Sequence, residues 1–180
     1  SALQLPVFFL VAWLILGFSS GDFGIGLLSG TRAATLTGVG ILLAFDLIFG
    51  GALGEEIGWR GFALPRLMAG STPLGAALVL GVIWSLWHLP IDLAAGFGAT
   101  GIGGIVFRLL FSCPLSVIVA WYFIRSGQGM LTSLLIHTTL NWLPVLKFTH
   151  YEATMALLTV FMFLFALLVG FADPKIRAEN

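Results

Sequence analysis

The stretch Gly54 to Pro65, GEEIGWRGFALP, places three ionisable side chains inside one of the most apolar parts of the chain. They are Glu55, Glu56 and Arg60. An ionisable residue in a membrane segment costs roughly 2.5 to 3.5 kcal/mol on insertion scales, so it normally has a partner and a function. Two adjacent carboxylates raise that cost because like charges repel strongly in a low dielectric. We therefore expect other helices to bring polar side chains to this stretch.

The composition predicts an all-α, polytopic membrane protein. The 180 residues are 59% hydrophobic and only 9% charged, and the mean hydropathy is +1.07, whereas soluble domains carry about a quarter charged residues. The apolar runs are long and do not alternate, which favours a helical bundle over a barrel. The net charge is zero, so nothing indicates nucleic-acid binding. The single Cys113 excludes an internal disulfide and a cysteine-rich metal site.

About six spans are expected, in one membrane-embedded domain covering residues 1–180. Their predicted ranges are 6–18, 33–64, 74–93, 105–124, 130–146 and 153–171. The second helix would include the opening stretch, and a break at Gly54 would instead put both glutamates at a membrane surface. Residues 1–20 lack a basic start and a small-residue cleavage site, so they favour a span over a signal peptide. The chain begins at Ser1 without methionine, which suggests a domain trimmed at its N-terminus.

An even number of spans places both termini on the same side of the membrane. The distribution of basic residues modestly favours the cytoplasm for that side. On the side of the termini, the predicted spans place Arg60, Arg66, Arg125, Lys175 and Arg177. On the other side, they place Arg32, Arg108 and Lys147.

Helical spacing divides the charged residues of the opening stretch. Glu56 and Arg60 are i,i+4 neighbours that can form an ion pair, while Glu55 lies about 100° around the helix and stays free. The simpler interpretation is a buried ion cluster that only fixes helix packing. At membrane depth we give that interpretation the smaller weight, because packing alone rarely offsets the insertion cost.

Two other helices carry polar residues on one face. Trp84, His88 and Asp92 share a face, and Asp92 is expected to accept a hydrogen bond from His88 and so fix its tautomer. His137 and Asn141 share another face. Each set has a plain structural interpretation, as an interfacial aromatic belt or an interhelical hydrogen bond.

Counting residues from the loops on the cytoplasmic side places Glu55, His88 and His137 within roughly 10 Å of one another in depth. A carboxylate, two imidazoles and an amide in a dry cavity suit hydrolysis of an amide bond. Glutamate can take a proton from water, and imidazoles can hold that water directly or through a metal. Asparagine and arginine can stabilise an oxyanion. Serine or cysteine proteolysis is disfavoured, because no clear base partner is found for Ser85, Ser112, Ser133 or Cys113.

Three spaced motifs therefore occur in order along the chain: Glu55-Glu56-x-x-x-Arg60, Trp84-x-x-x-His88 and His137-x-x-x-Asn141. Together they resemble the signature of the CPBP intramembrane proteases, the CAAX-protease and bacteriocin-processing family, also called Abi. The flanking EEIGWRGFALPRL and WSLWHLP resemble bacterial members. The resemblance covers about residues 53–141. Trp84 stands where the family motif usually has phenylalanine.

The resemblance implies a multi-pass endopeptidase, in a bacterial cell membrane, that acts on a peptide or protein substrate. That substrate could be prenylated or a bacteriocin precursor. Glu55 would be the general base, His88 would hold the water, and His137 and Asn141 would form the oxyanion site. Glu56, Arg60, Trp84 and Asp92 would be supporting residues. The residues are compatible with a metalloprotease that binds zinc through Glu55, His88 and His137, and equally with a metal-free glutamate protease.

Two other classes of function fit parts of the pattern. A family member could keep the fold without proteolysis and act as an immunity or transport-support protein. A proton-coupled carrier would use Asp46 in the cavity, and a haem protein would use His88 and His137 as axial ligands. The adjacent glutamates have no role in haem ligation, so we rank haem binding lowest.

Overall fold

A computed structural model gives the structure of the protein, and it describes residues 25–27, 45, 51–94, 101–142, 146–148 and 151–178. Within these residues, the elements outside the opening stretch are two short strands and five helices. They are β1 (Ile25–Leu27), α3 (Pro73–Ala94), α4 (Ile102–Arg125), α5 (Met130–Trp142), β2 (Leu146–Phe148), α6 (Tyr151–Ala172) and α7 (Pro174–Arg177).

The opening stretch lies in one continuous helical segment. This segment consists of α1 (Gly51–Glu56), a π-helix (Ile57–Ala63) and α2 (Leu64–Met68). Gly54 is helical within α1, so the alternative of a break at Gly54 is wrong. The predicted first span and the predicted start of the second lie outside the described residues.

Three helices of the described part are long and apolar enough to cross a membrane, namely Pro73–Ala94, Ile102–Arg125 and Ala153–Ala172. They match the predicted third, fourth and sixth spans. The architecture is the predicted all-α helical bundle, and the protein is an integral membrane protein.

The predicted fifth span is shorter than expected. Helix α5 ends at Trp142 and has 13 residues, which is about 20 Å at 1.5 Å per residue. The expected end at Leu146 is wrong, because Leu146 belongs to β2 and pairs with Leu27 of β1 in an antiparallel register. Pro144 in the intervening sequence lacks the N–H that would continue the helix.

The packing places α3 and α4 side by side, with α6 against α4, while α5 packs against α1, the π-helix and α4. Helices α3 and α4 approach each other closely at Gly81. A Cβ atom there would lie 2.8 Å from the Cα atom of Cys113 and 3.2 Å from the carbonyl oxygen of Ser112. Small residues at such crossings let membrane helices pack backbone to backbone.

Helix α7 packs against α3 and α6. Its N-cap is Asp173, whose side chain accepts hydrogen bonds from the backbone N–H of Lys175 at 3.0 Å and from Trp121 Nε1 at 2.7 Å, and pairs with Arg125 at 2.9 Å. These contacts, with the Trp121 bond first, hold the pKa of Asp173 below its usual range. Within α7, the side chain of Ile176 is fully buried. The C-terminal turn is therefore fixed to the end of α4.

Candidate active site

The two adjacent glutamates lie in different environments. The Glu56 side chain is fully buried, whereas the Glu55 side chain is 22% exposed. Both belong to the last turn of α1, directly before the π-helix. Such π-helical segments frequently occur at functional sites. The helix thus presents one carboxylate to the protein interior and the other to a more open space.

Glu56 joins two helices through a single oxygen. Its Oε1 accepts a hydrogen bond from Arg60 at 2.9 Å and lies 2.8 Å from Nδ1 of His137 on α5. The predicted ion pair between Glu56 and Arg60 is confirmed, and both side chains are fully buried. Arg60 was counted among the charges that set membrane orientation, but its burial removes it from the membrane flank. Its guanidinium lies 4.7 Å from the centre of the Trp84 ring, a cation–π contact.

The contact with Glu56 also determines how His137 is presented. A carboxylate accepts only, so Nδ1 of His137 carries the proton of this hydrogen bond. The opposite ring atom, Nε2, lies 3.9 Å from Oε2 of Glu55. That distance is too long for a direct hydrogen bond, and contacts of this length are often bridged by a water molecule. Glu55 and His137 therefore face each other with a gap between them.

Glu55 is held by neutral donors. Its Oε2 accepts hydrogen bonds from Trp84 Nε1 at 2.9 Å and from Trp59 Nε1 at 3.3 Å. Its other oxygen, Oε1, lies close to Gly51, where a Cβ atom would be only 2.9 Å away. Trp84 is a predicted site residue, whereas Trp59 was missed. The i,i+4 spacing between Glu55 and Trp59 was a signal that could have identified it.

His88 lies beside this group and is oriented by the backbone. Its Nδ1 is 2.9 Å from the carbonyl oxygen of Trp84, so Nδ1 donates and a neutral ring has its free lone pair on Nε2. The ring of Trp84 lies 6.0 Å from the His88 ring and 5.2 Å from the His137 ring. Trp84 is thus in contact with both predicted histidines and with Glu55.

The predicted hydrogen bond from His88 to Asp92 is wrong. Asp92 instead forms a two-point ion pair with Arg108 of α4, with Arg108 Nε 2.7 Å from one carboxylate oxygen and a second short contact from its terminal nitrogen. An arginine fork matches a carboxylate better than one imidazole nitrogen does. Asp92 therefore links α3 to α4 one turn beyond His88.

Asn141 lies one turn after His137 near the end of α5, and its side chain is exposed. Among the residues that the structure describes, no hydrogen bond connects the Asn141 amide to the other predicted site residues. Its predicted role at an oxyanion site stays a prediction.

The metal prediction can be compared with the ligand geometry. No group of three His, Cys, Asp or Glu side chains in the described ranges is arranged to hold a metal ion. Oε2 of Glu55 already accepts two indole hydrogens. These residues do not fit a zinc site formed by Glu55, His88 and His137, and we derive no step through a metal.

Comparison with known proteins gives the family. Residues 36–143 match the family described as type II CAAX prenyl endopeptidase Rce1-like. The CAAX prenyl protease 2 of Methanococcus maripaludis is 27% identical over 93 residues, which are 48% of this chain and 34% of that protein. The chain therefore spans about a third of the length of this curated relative. Because the matched region covers more than half of the chain and contains all three motifs, the protein belongs to the type II CAAX prenyl endopeptidase Rce1-like family.

Proposed function

We propose that this protein is an intramembrane endopeptidase in which Glu55 activates a water molecule. The observation that carries the proposal is the gap of 3.9 Å between Glu55 Oε2 and His137 Nε2. A general base must lie within hydrogen-bond reach of the proton it takes, directly or through one water. The partly exposed Glu55 meets that condition for a water in the gap, and the fully buried Glu56 does not.

The proposed reaction begins with attack on the peptide carbonyl. Glu55 takes one proton from the water as the water oxygen bonds to the carbonyl carbon. The free Nε2 lone pair of His88 accepts a hydrogen bond from the other water proton and orients the oxygen. When His137 is protonated, its Nε2–H stabilises the developing oxyanion, and the Asn141 amide is the second donor. Protonated Glu55 then gives its proton to the amide nitrogen as the carbon–nitrogen bond breaks.

Glu56 and Arg60 support this reaction without taking part in proton transfer. The Glu56 carboxylate accepts the Nδ1–H of His137, which orients the ring and directs its Nε2 toward Glu55. Arg60 neutralises the charge that Glu56 would otherwise leave buried.

The family and the curated relative support a proposal for the substrate class. We propose a peptide or protein with a prenylated cysteine near its C-terminus, presented from the membrane. A bacteriocin precursor is the second candidate, because the three motifs also resemble bacteriocin-processing proteins. We further propose a bacterial cell membrane and cytoplasmic termini.

The test is a cleavage assay in detergent with an internally quenched peptide that ends in a prenylated CAAX sequence, and with the same peptide unprenylated. The wild type, Glu55→Gln and His88→Ala are compared, each with and without a chelator. Asp173→Asn is the matched control, since it makes the same carboxylate-to-amide change far from the site. We expect Glu55→Gln to lose cleavage by at least about 10³-fold, because the general base is removed. Cleavage that survives Glu55→Gln refutes the mechanism, and loss of activity on chelation identifies a metal requirement.

A family member that acts without proteolysis gives a different result. Its biological phenotype would persist in Glu55→Ala and His137→Ala variants, and no member of the peptide panel would be cleaved.

A further inference from the structure

We propose that Trp59 and Trp84 act together as an indole pair that positions the carboxylate of Glu55 for proton transfer. The inference rests on the proposed role of Glu55 and extends it to two residues outside the charged groups. Both indole N–H groups donate to the same atom, Oε2 of Glu55, at 3.3 Å and 2.9 Å.

The two donors come from different parts of the fold. Trp59 lies in the π-helix and reaches back four residues to Glu55, while Trp84 lies on α3, 29 positions away in sequence. One donor is therefore fixed by the local helix and the other by the packing of α3 against the segment. A carboxylate side chain with three rotatable bonds loses most of its freedom when one oxygen is held from two directions.

The ring of Trp84 is itself fixed by packing. It contacts the guanidinium of Arg60 at 4.7 Å and the ring of His137 at 5.2 Å. The Trp84 residue is 4% exposed. An indole whose ring is clamped in this way directs its N–H in one fixed direction, which is the requirement for a positioning group.

Phenylalanine at position 84 could keep much of the ring packing but could not donate a hydrogen bond. Trp84 therefore does more in this chain than pack against its neighbours, because it also donates a hydrogen bond to Glu55. The sequence motif preserves an aromatic side chain, and the tryptophan adds one donor, aimed at the proposed base.

Neutral donors leave the proposed base able to accept a proton. The two hydrogen-bond donors of Glu55 in the described residues are uncharged indoles, so Glu55 can take a proton without breaking an ion pair with a lysine or an arginine. The bonds are also directional, so they fix where the second oxygen points. The indoles hold Oε2, which faces Nε2 of His137 across the gap of 3.9 Å, and thereby fix the direction of the whole carboxylate toward that gap.

The test removes each donor and keeps the ring. Trp84 is changed to phenylalanine and, separately, to 3-benzothienylalanine, which has the shape of tryptophan with sulfur in place of the N–H. Trp59→Phe removes the longer bond. Trp121→Phe is the matched control, since Trp121 also donates to a carboxylate, that of Asp173 at 2.7 Å, outside the site.

We expect both changes at position 84 to lower kcat about 10- to 100-fold with KM within two-fold, because hydrogen bonds to charged groups are the stronger ones and misplaced catalytic groups cost this much. Trp59→Phe should cost less, in keeping with its longer bond, and Trp121→Phe should leave kcat unchanged. Equal thermal unfolding of the benzothienylalanine variant and the wild type shows that packing is retained.

A spectroscopic measurement separates this inference from the proposed reaction. In protein labelled with ¹⁵N at the indole nitrogens, Glu55→Gln should shift the Trp84 and Trp59 N–H resonances and leave that of Trp121 in place. A benzothienylalanine variant with wild-type kcat, or indole resonances that ignore Glu55→Gln, overturns the indole pair. Cleavage that survives Glu55→Gln overturns the proposed reaction instead, whatever the resonances show.

Discussion

The buried ion pair between Glu56 and Arg60 predicts a large loss of stability when one partner is removed. Both side chains are fully buried and their charged atoms are 2.9 Å apart. Glu56→Gln keeps an oxygen that can accept from His137 but leaves the guanidinium without a counter-charge. Breaking a buried pair in this way costs about 3 to 5 kcal/mol. The cation–π contact of Arg60 with Trp84 remains and places the expected loss near the lower end, about 3 kcal/mol.

The assay is a double-mutant cycle measured as the free energy of unfolding in detergent. It compares Glu56→Gln, Arg60→Met and the double variant, which buries neither charge. Arg125→Gln is the control, since its ion pair with Asp173 is made by an arginine side chain that is 49% exposed. An exposed pair of this kind is worth less than about 1 kcal/mol.

We expect the double variant to be more stable than the sum of the single losses predicts, by about 2 kcal/mol or more. The reasoning is refuted if Glu56→Gln is as mild as Arg125→Gln, or if the two single losses simply add.

Three further predictions concern glycines and the C-terminal turn. Gly51→Ala should lower kcat, because its new Cβ atom would lie 2.9 Å from Glu55 Oε1 and push the carboxylate aside, while stability should hold or rise because alanine is the better helix former. Gly54→Ala is the control, since there is open space around Gly54, and an equal kcat in the two variants contradicts this prediction. Gly81→Ala should lower the free energy of unfolding by about 1 to 3 kcal/mol, since the new methyl group would meet backbone atoms of α4. Gly103→Ala, in open space, should leave it unchanged, and equal melting curves for the two variants would argue against the close crossing. The hydrogen bond from Trp121, followed by that from the Lys175 backbone, holds the pKa of Asp173 below its ordinary value, so its stabilising contribution is complete above about pH 4 and disappears as the pH falls through the lowered pKa. The difference in melting temperature between wild type and Asp173→Asn should therefore shrink below about pH 4, and a constant difference contradicts the assignment.

Helical spacing predicted one of the two contacts that we expected within a single helix. The pairing of Glu56 with Arg60 follows from i,i+4 geometry alone, and the structure confirms it. The same rule applied to Glu55 points to Trp59, a contact that the sequence analysis did not consider. The long apolar runs likewise predicted α3, α4 and α6 with boundaries close to those observed.

Contacts between helices could not be predicted in the same way, because they depend on how two helices are set along each other. Asp92 shares a face with His88, yet it pairs with Arg108 across the crossing of α3 and α4. The bond between Glu56 and His137 joins residues 81 positions apart. One turn of displacement, about 5.4 Å, would replace each of these partners by another. The sequence gives the face of each helix, and close packing such as that at Gly81 determines the register.

The different partners of the two glutamates give a physical reason for assigning them different roles. Glu56 holds a fully buried guanidinium, so protonating it would leave Arg60 as an uncompensated charge, at a cost of several kcal/mol. Glu55 accepts hydrogen bonds from two neutral indoles, and no lysine or arginine in the described part of the chain forms an ion pair with it. A general base must gain and lose a proton in every turnover, and Glu55 can do so without breaking the ion pair between Glu56 and Arg60. The distinction does not depend on which carboxylate is nearer to the substrate. It predicts that exchanging the two environments, by placing a cation next to Glu55 as in Trp59→Arg, lowers kcat even when the carboxylate itself is unchanged.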